Sequence, residues 1–271
     1  MITLEELQAG IVLPVDKPRQ WTSFQAVNKV KAVVRNTYGL KKFKIGHAGT
    51  LDPLASGLLL ICLGKATKKI PALQDGDKVY TGTMVLGATT PCYDLEQAID
   101  HRYPYSHITP VLLSETRQQF VGTIMQVPPM FSAVKVDGQR AYEYARRDDP
   151  SAIIQPKPVT IYSFDITSFR PGLESEETDN TTNNKLTTPN QQQTTTQLYK
   201  NPRGSVPPEL PQVDFRIRCG KGTYIRSLAR DFGLALGSGA YLSALRREQV
   251  GEYTLDQALT LDQVEWKFKN E

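Results

Sequence analysis

The sequence predicts an α+β fold in which a mixed, mostly antiparallel central sheet is flanked by helices. Some segments alternate apolar and polar residues with the period of two that is typical of strands. Others repeat apolar residues at helical spacing, and the two kinds do not alternate regularly along the chain. The absence of a regular strand–helix alternation disfavours a doubly wound parallel sheet.

The first half of the chain carries signals for one long helix and two strands. Ser23 is a candidate N-cap of a helix whose apolar positions recur every three or four residues. These positions are Phe24, Val27, Val30 and Val34. Residues 58–63 form a continuous apolar run that predicts a buried strand, and residues 79–86 alternate as a strand does.

Two further helices are predicted later in the chain. Thr109 followed by Pro110 is typical of a helix start, and Gly122 predicts that this helix has ended. Ile225, Leu228 and Phe232 form the apolar stripe of a second helix, which we expect to stop at Gly233 or Gly237. The segment 128–138 reads as a loop followed by a hairpin.

Residues 171–212 interrupt this pattern. Of these 42 residues, 24 are Thr, Asn, Gln or Pro, and none is Ile, Phe, Trp, Met, Ala or Cys. Such a segment buries too little apolar area to offset the entropy of ordering, so we predict a disordered insert. Because strand-like runs at 159–166 and 213–219 flank it, we interpret it as a lengthened hairpin connection inside one domain rather than a linker between two.

Composition excludes several classes of protein. The 271 residues are 39% hydrophobic and 22% charged, which excludes a fully disordered chain. No apolar run is long enough for a membrane-spanning helix, and the first residues lack the profile of a signal peptide, so we expect a cytoplasmic protein. Cys62, Cys92 and Cys219 are far apart and predict buried apolar side chains, with neither a metal site nor a disulfide framework.

The net charge of +4 conceals two basic tracts. Residues 17–51 contain eight Lys or Arg and no acid, and residues 216–230 contain five and no acid. Arg246 and Arg247 add a smaller cluster. Such tracts suit a polyanion such as nucleic acid, although solvated helix faces explain charge alone equally well.

The segment 46–59, GHAGTLDPLASGLL, is the most unusual in the chain. Its three glycines and one proline predict a loop with special backbone angles that leads into the apolar strand. Asp52 stands directly before Pro53, which favours an extended backbone. A carboxylate held in this way serves as a nucleophile, a general base or a metal ligand, and a turn-capping aspartate is the alternative.

A second candidate segment, 218–228, runs from a strand through a glycine turn into a helix and presents Tyr224 and Arg226. An arginine beside Asp52 would keep the carboxylate ionised at neutral pH. The turn lacks the full spacing of a nucleotide phosphate loop. Tyr80, on the predicted strand 79–86, either stacks on a ligand or belongs to the core.

The segment 46–59 resembles the catalytic motif of the TruB-type tRNA pseudouridine synthases, which isomerise uridine 55 in the T-loop of tRNA. Further segments match the family in the family's order: VDKP at 15–18, LGKATK at 63–68, PPMFSAVK at 128–135, GTYIR at 222–226 and LRR at 245–247. The resemblance implies the pseudouridine synthase fold. It also implies a catalytic domain over residues 1–250, interrupted by the insert, and a short tail or remnant of an RNA-binding module at 251–271.

The resemblance also implies roles for individual residues. Asp52 falls on the nucleophile, Arg226 on the arginine paired with it, and Tyr80 on the tyrosine that packs against the target base. The positions expected to bind substrate are His47, which fills the gap left by the flipped base, Tyr224, Leu245 and Lys17. Contacts to the RNA backbone are expected from Lys41, Lys42, Lys44, Arg246 and Arg247.

The implied reaction flips a uridine out of the RNA fold and rejoins its base to ribose through carbon. Atoms and oxidation state are conserved overall, so we expect no cofactor and no metal. The expected partner is the tRNA T-arm, with no membrane and no obligate protein partner, and we expect a monomer. There are two alternatives to this function. The enzyme modifies a different structured RNA, or the protein is an RNA-binding module that has lost catalysis.

Overall fold

A central sheet organises the chain, and the computed structural model describes residues 2–147, 149, 151–172 and 205–270. The helices are α1 (Leu4–Ala9), α2 (Ser23–Tyr38), α3 (Ile70–Asp75), α4 (Pro110–Gln118), α5 (Ala141–Arg146), α6 (Ile225–Ala235) and α7 (Leu261–Asn270). The strands are β1 (Ile11–Lys17), β2 (Ile45–Ala48), β3 (Ser56–Leu63), β4 (Lys78–Leu86), β5 (Ala88–Thr89), β6 (His101–Arg102), β7 (Gly122–Gln126), β8 (Lys135–Val136), β9 (Gln139–Arg140), β10 (Lys157–Arg170), β11 (Gln212–Cys219), β12 (Ala240–Val250) and β13 (Tyr253–Thr254).

The sheet runs in the order β1-β3-β12-β4-β11-β10-β7, with β2 paired to β3 and β13 paired to β12. Every pairing in it is antiparallel except that of β12 with β3, where Arg246 lies opposite Ser56 and Arg247 opposite Gly57. The predicted α+β class with a mostly antiparallel sheet is therefore confirmed. The parallel pair joins the first three strands to the rest of the sheet, next to the loop that carries Asp52.

Strand β3 is buried on both faces, which explains its unbroken apolar sequence. Leu59, Ile61 and Leu63 belong to the main core, together with Val30 and Val34 of α2. Leu58 and Leu60 face a smaller cluster on the other side of the sheet. A strand covered on both faces has no polar positions to alternate with.

Helix α2 starts one residue earlier than the sequence analysis predicted. Thr22 is the N-cap: its hydroxyl accepts from the Gln25 amide at 3.1 Å, and the Gln25 side chain accepts from the Thr22 amide at 2.7 Å. Ser23 is buried inside the first turn. Phe24 is 69% exposed, so its predicted place in the apolar stripe is wrong, and Val33 is buried instead.

The remaining helix predictions hold with small shifts in their ends. Thr109 caps α4, which ends at Gln118, and α6 runs through Gly233 to end at Ala235. The loop and hairpin expected at 128–138 are present, since β8 and β9 pair there. All three cysteines are buried, as expected.

Strands β10 and β11 confirm that the segment between them is a hairpin connection, because they pair antiparallel up to Arg170 opposite Gln212. Most of the predicted insert, residues 173–204, lies outside the described residues. Its last part is ordered: Leu210 is 1% exposed and packs with Val85 and Tyr241, and β11 begins at Gln212. The prediction of disorder is wrong for this end, because Val206 also packs against the cluster that contains Leu210.

The C-terminal residues pack on the same core. Leu261, Val264 and Phe268 of α7 are buried in the main cluster, and Lys29 of α2 forms an ion pair with Glu265. The boundary proposed at residue 250 stays a prediction. None of the helices in the described part of the chain is long and apolar enough to cross a membrane.

Candidate active site

Asp52 lies on the loop between β2 and β3, and that loop is shaped by a close approach of β12. Gly57 has φ +102°, and a Cβ atom there would lie 2.4 Å from the Arg247 carbonyl oxygen. Only glycine fits where β12 runs this close to the start of β3. The Asp52 loop therefore lies where β3 and β12 pair in parallel. Side chains from β4, β12 and α6 line one cleft there.

Arg226 holds the carboxylate of Asp52 with two parallel hydrogen bonds. Its Nε donates to Oδ2 at 2.8 Å and its Nη2 donates to Oδ1 at 3.0 Å. The side chain of Arg226 is 6% exposed and that of Asp52 is 36% exposed. The arginine is thus buried behind a carboxylate whose other side remains open to a ligand.

The remaining donors of Arg226 bind two other loops. Its Nη1 donates to the carbonyl of Cys92 at 3.1 Å, and its Nη2 also donates to the carbonyl of Phe131 at 2.9 Å. The carboxylate of Asp94 lies 3.8 Å from Nε. The sequence analysis missed Asp94, because an acid in a polar loop carries no local sign that the fold will bury it.

The electrostatics of this cluster favour a charged arginine. Burial lowers the pKa of Arg226, but Asp52 and Asp94 more than offset this and raise it above its ordinary value. Burial also raises the pKa of Asp94, against the opposing effects of the Cys92 thiol and Arg226. The Cys92 thiol donates to Oδ1 of Asp94 at 2.9 Å and so fixes the orientation of that carboxyl.

Lys17 supports the Asp52 loop from beneath. Its side chain is fully buried, and Nζ donates to the carbonyls of Pro18 at 3.0 Å and Trp21 at 2.6 Å, with Pro53 at 3.5 Å. The expectation that Lys17 binds substrate is therefore wrong, because a fully buried amine has no free surface. Burial lowers its pKa to about 8, an effect that the nearby Asp52 charge opposes.

Two further side chains fix the ends of the loop. Ser23 accepts from the Leu51 amide at 2.9 Å and donates to the Leu51 carbonyl at 3.1 Å. Arg247 donates from Nε to the Leu58 carbonyl at 2.8 Å and from Nη2 to the Gly49 carbonyl at 3.0 Å. The backbone from Gly49 to Leu58 is thereby held on both sides of Asp52.

Arg247 and Arg246 differ from the other basic residues that are expected to contact RNA. Arg247 is 1% exposed, although it borders the cleft next to Asp52. Arg246 donates to Asp16 at 2.7 Å and to Ser56 at 3.2 Å. By contrast, Lys41, Lys42 and Lys44 are exposed just before β2. Contacts of these two arginines with RNA stay predictions.

An open cleft of about 570 Å³ lies beside the Asp52–Arg226 pair. Tyr80, Tyr224 and Leu245 line it together with Asp52 and Arg226. Burial raises the pKa of both Tyr80 and Tyr224, so both phenols are neutral near pH 7. The cleft therefore offers aromatic and aliphatic walls to a planar group and one carboxylate for chemistry.

His47 does not line the cleft, unlike the substrate-binding candidates Tyr224 and Leu245. It lies on β2 opposite Ile61, half-buried, and its Nδ1 has no hydrogen-bond partner among the described atoms. Burial lowers its pKa, helped by the charge of Arg247. A neutral imidazole suits the stacking role that the resemblance implies better than proton transfer.

Comparisons with known protein families agree with this geometry. Residues 35–185 match the model of the TruB family pseudouridylate synthase N-terminal domain, and residues 226–271 match that of the tRNA pseudouridylate synthase B C-terminal domain. The chain is 48% identical over 261 residues to a tRNA pseudouridine synthase B of Flavobacterium johnsoniae, covering 96% of each chain. It is 43% identical over 258 residues to the protein of that name from Phocaeicola vulgatus, covering 95% of this chain and 93% of the other.

Solved structures with the same architecture come from larger proteins. One chain in the crystal structure of a Cbf5-Nop10-Gar1 complex superposes with a TM-score of 0.59 at 27% identity. A chain from an H/ACA RNP bound to a substrate RNA containing 2'-deoxyuridine gives 0.55 at 25%. Each match covers 97% of the present chain, which spans only about half the length of those proteins, 55% and 54%.

Proposed function

The chain belongs to the TruB family of pseudouridylate synthases, and we propose that it converts uridine 55 in the T-loop of tRNA to pseudouridine with Asp52 as the nucleophile. The observation that carries this proposal is the bidentate Asp52–Arg226 pair at the wall of a cleft with aromatic sides. The relatives named tRNA pseudouridine synthase B, matched over nearly their full length, support the same RNA substrate.

The chemistry exchanges one bond of the nucleoside for another. The bond between uracil N1 and ribose C1′ breaks, a bond between uracil C5 and C1′ forms, the C5 proton leaves to solvent and N1 gains a proton. Atoms and electrons balance without an oxidant or reductant. Because the base is stacked in the folded RNA, it must first be flipped out, at a cost of a few kcal/mol.

Asp52 is placed to act on the flipped nucleotide. The two parallel hydrogen bonds from Arg226 fix the orientation of its carboxylate. Attack on ribose C1′ and attack on the uracil ring both remain compatible with this geometry. In either case the base must be released, rotated and recaptured within the cleft.

The cleft walls supply the positioning that such a rearrangement needs. Tyr80 on β4 and Leu245 on β12 lie close together on adjacent strands. Tyr80 pairs with Arg247, and Leu245 pairs with Gly82, two residues away on each strand. We assign Tyr80 to packing against the uracil ring, and Leu245 and Tyr224 to the sides of the pocket. Stacking on an aromatic side chain replaces part of the stacking lost when the base leaves the RNA.

The exposed lysines before β2 are candidates for contacts with the RNA backbone. Lys41, Lys42 and Lys44 carry three charges within four residues, and none of them forms an ion pair within the described part of the chain. Electrostatic contacts of this kind supply affinity that is independent of sequence. With tRNA as its substrate, we place the protein in the cytoplasm and propose that it acts as a monomer.

Tritium release from T-arm RNA containing 5-tritiated uridine tests the proposal. We expect release with the wild-type protein and none above background with Asp52→Asn, because the amide keeps the shape and loses the charge. Asp165→Asn, at a position whose side chain is 54% exposed on β10, is the matched control and retains activity. Release by Asp52→Asn at the wild-type rate contradicts the nucleophile, whereas wild-type binding without release favours a non-catalytic RNA-binding module.

A further inference from the structure

Tyr93 and Arg230 form a contact beside the active site that the proposed chemistry does not use. The guanidinium carbon of Arg230 lies 5.2 Å from the centre of the Tyr93 ring, within the range of a cation–π contact. Tyr93 has φ +59°, in the left-handed region that a tyrosine rarely adopts. A residue keeps such a backbone only where its surroundings fix it, and such residues cluster at functional sites.

The neighbours of Tyr93 in the chain are the two residues that contact Arg226. The carbonyl of Cys92 accepts from Arg226 Nη1 at 3.1 Å, and the carboxylate of Asp94 lies 3.8 Å from Nε. Arg230 follows Arg226 by one turn of α6, so the two arginines project from one face of the helix. Two arginines on one helix face therefore hold three consecutive residues of the 92–94 segment.

Arg230 also holds the second loop that Arg226 contacts. Its Nη2 donates to the carbonyl of Val127 at 3.1 Å, and Ser227 donates to the same oxygen at 2.8 Å. Arg226 binds the carbonyl of Phe131 at the other end of this loop. The first turns of α6 thus fasten both loops that surround the Asp52–Arg226 pair.

We infer that Tyr93 and Arg230 are a positioning pair, which fixes the Cys92 carbonyl against Arg226 and so sets the orientation of Arg226 toward Asp52. The inference rests on the proposed function. Neither residue lines the cleft or the smaller cavity next to Asp52, so the pair acts through Arg226 and not on the substrate. Loss of the contact should therefore lower kcat and leave KM unchanged.

The test replaces each partner and measures kcat and KM for tritium release from T-arm RNA that contains 5-tritiated uridine. Tyr93→Asn removes the ring but tolerates the left-handed backbone, and Tyr93→Phe keeps the ring. We expect Tyr93→Asn and Arg230→Met each to lower kcat about tenfold with KM within twofold, because a small displacement of a catalytic group is costly. Tyr93→Phe should retain the wild-type rate. The double variant should lose no more than Arg230→Met alone, because that change removes both the ring contact and the bond to Val127.

A matched control uses an arginine–tyrosine contact between two strands of the sheet, β10 and β11. Arg218 lies 5.3 Å from the Tyr162 ring, and neither residue contacts Arg226, so Tyr162→Asn should leave kcat unchanged. In an Arg226→Lys background, Tyr93→Asn should cause no further loss. Unchanged kcat in Arg230→Met, or losses that add in the double variant, would overturn the inference; absence of release by the wild type would instead overturn the proposed function.

Discussion

Arg226 and Asp52 are 174 residues apart in the sequence, yet two parallel hydrogen bonds of 2.8 and 3.0 Å join them. The arginine is buried and the carboxylate is partly exposed to the cleft. The pair therefore combines a fixed hydrogen-bond donor with a carboxylate that a substrate can reach. Because the planar guanidinium matches both carboxylate oxygens, it determines orientation as well as charge. The same guanidinium also reaches the loops at Cys92 and Phe131, so the geometry of Asp52 depends on three separate parts of the chain.

Arg226→Lys should separate charge from orientation. A lysine keeps the positive charge but cannot make two parallel bonds to Asp52 or replace those to Cys92 and Phe131. We expect kcat to fall about 100-fold while the dissociation constant for T-arm RNA stays within a few-fold of wild type. Arg218→Lys, on an exposed arginine paired with Asp77 at 2.8 Å, is the control. A rate loss of the same size in both variants would refute the special role of Arg226.

The sequence was sufficient to find the reactive residues and insufficient to find what supports them. Asp52 and Arg226 stand in segments with unusual glycine patterns and a family resemblance, so each was predicted, and the structure brings them together. Lys17 and Arg247 were expected to meet RNA, but both are buried beneath the Asp52 loop. Burial of a basic residue depends on the backbone carbonyls that surround it in the fold, and residue type does not reveal them.

Lys17→Met tests the buried amine through the pH dependence of stability. The pKa of Lys17 falls from 10.5 to about 8 because of burial. The unfolded chain therefore holds this proton up to about pH 10.5, whereas the folded chain releases it near pH 8, so stability rises with pH across that window. Relative to Lys17→Met, the free energy of unfolding of the wild type should rise by about 3 kcal/mol between pH 7 and 11.

Denaturant unfolding of both proteins across this pH range measures the difference. The other titrating groups are common to both chains, so their contributions cancel in the comparison. A difference that stays constant with pH would show that the Lys17 amine is not desolvated in the folded protein. A difference that falls with pH would mean that its pKa is raised.

The cap of α2 shows a local signal and a long-range contact that agree. Thr22 and Ser23 are both good capping residues, but only Thr22 has a glutamine three residues later, Gln25, which completes a capping box. The Ser23 hydroxyl instead bonds both backbone groups of Leu51 on the Asp52 loop. The sequence therefore contains the signal for the helix start, and the long-range contact uses the hydroxyl that the cap leaves free.

Lys41 and Lys42 should contribute to RNA affinity without affecting chemistry. Both are exposed before β2, and replacing both with Glu removes two candidate phosphate contacts. We expect weaker binding of T-arm RNA. The slope of log affinity against log salt concentration should decrease in magnitude by up to about two. Single-turnover kcat at saturating protein should stay near the wild-type value.

Tyr80→Ala should give the opposite result. Tyr80 is 9% exposed and lines the cleft, so its loss removes a wall of the base pocket while the surface charges stay in place. We expect kcat to fall about tenfold or more with little change in the salt dependence of binding. An unchanged kcat, together with a less steep salt plot, would reverse the assigned roles of the lysines and the tyrosine.

Gln20→Gly should stabilise the protein. Gln20 has φ +69°, a backbone that costs an L-residue about 1 kcal/mol or more, and its amide donates to the Pro53 carbonyl at 2.8 Å. Glycine removes that cost and keeps the amide, so after its own entropy loss we expect a gain of about 0.5 kcal/mol in the free energy of unfolding. Gln8→Gly, the same change within α1, should instead lose about 1 kcal/mol. Equal losses at both positions would show that the backbone at Gln20 carries no strain.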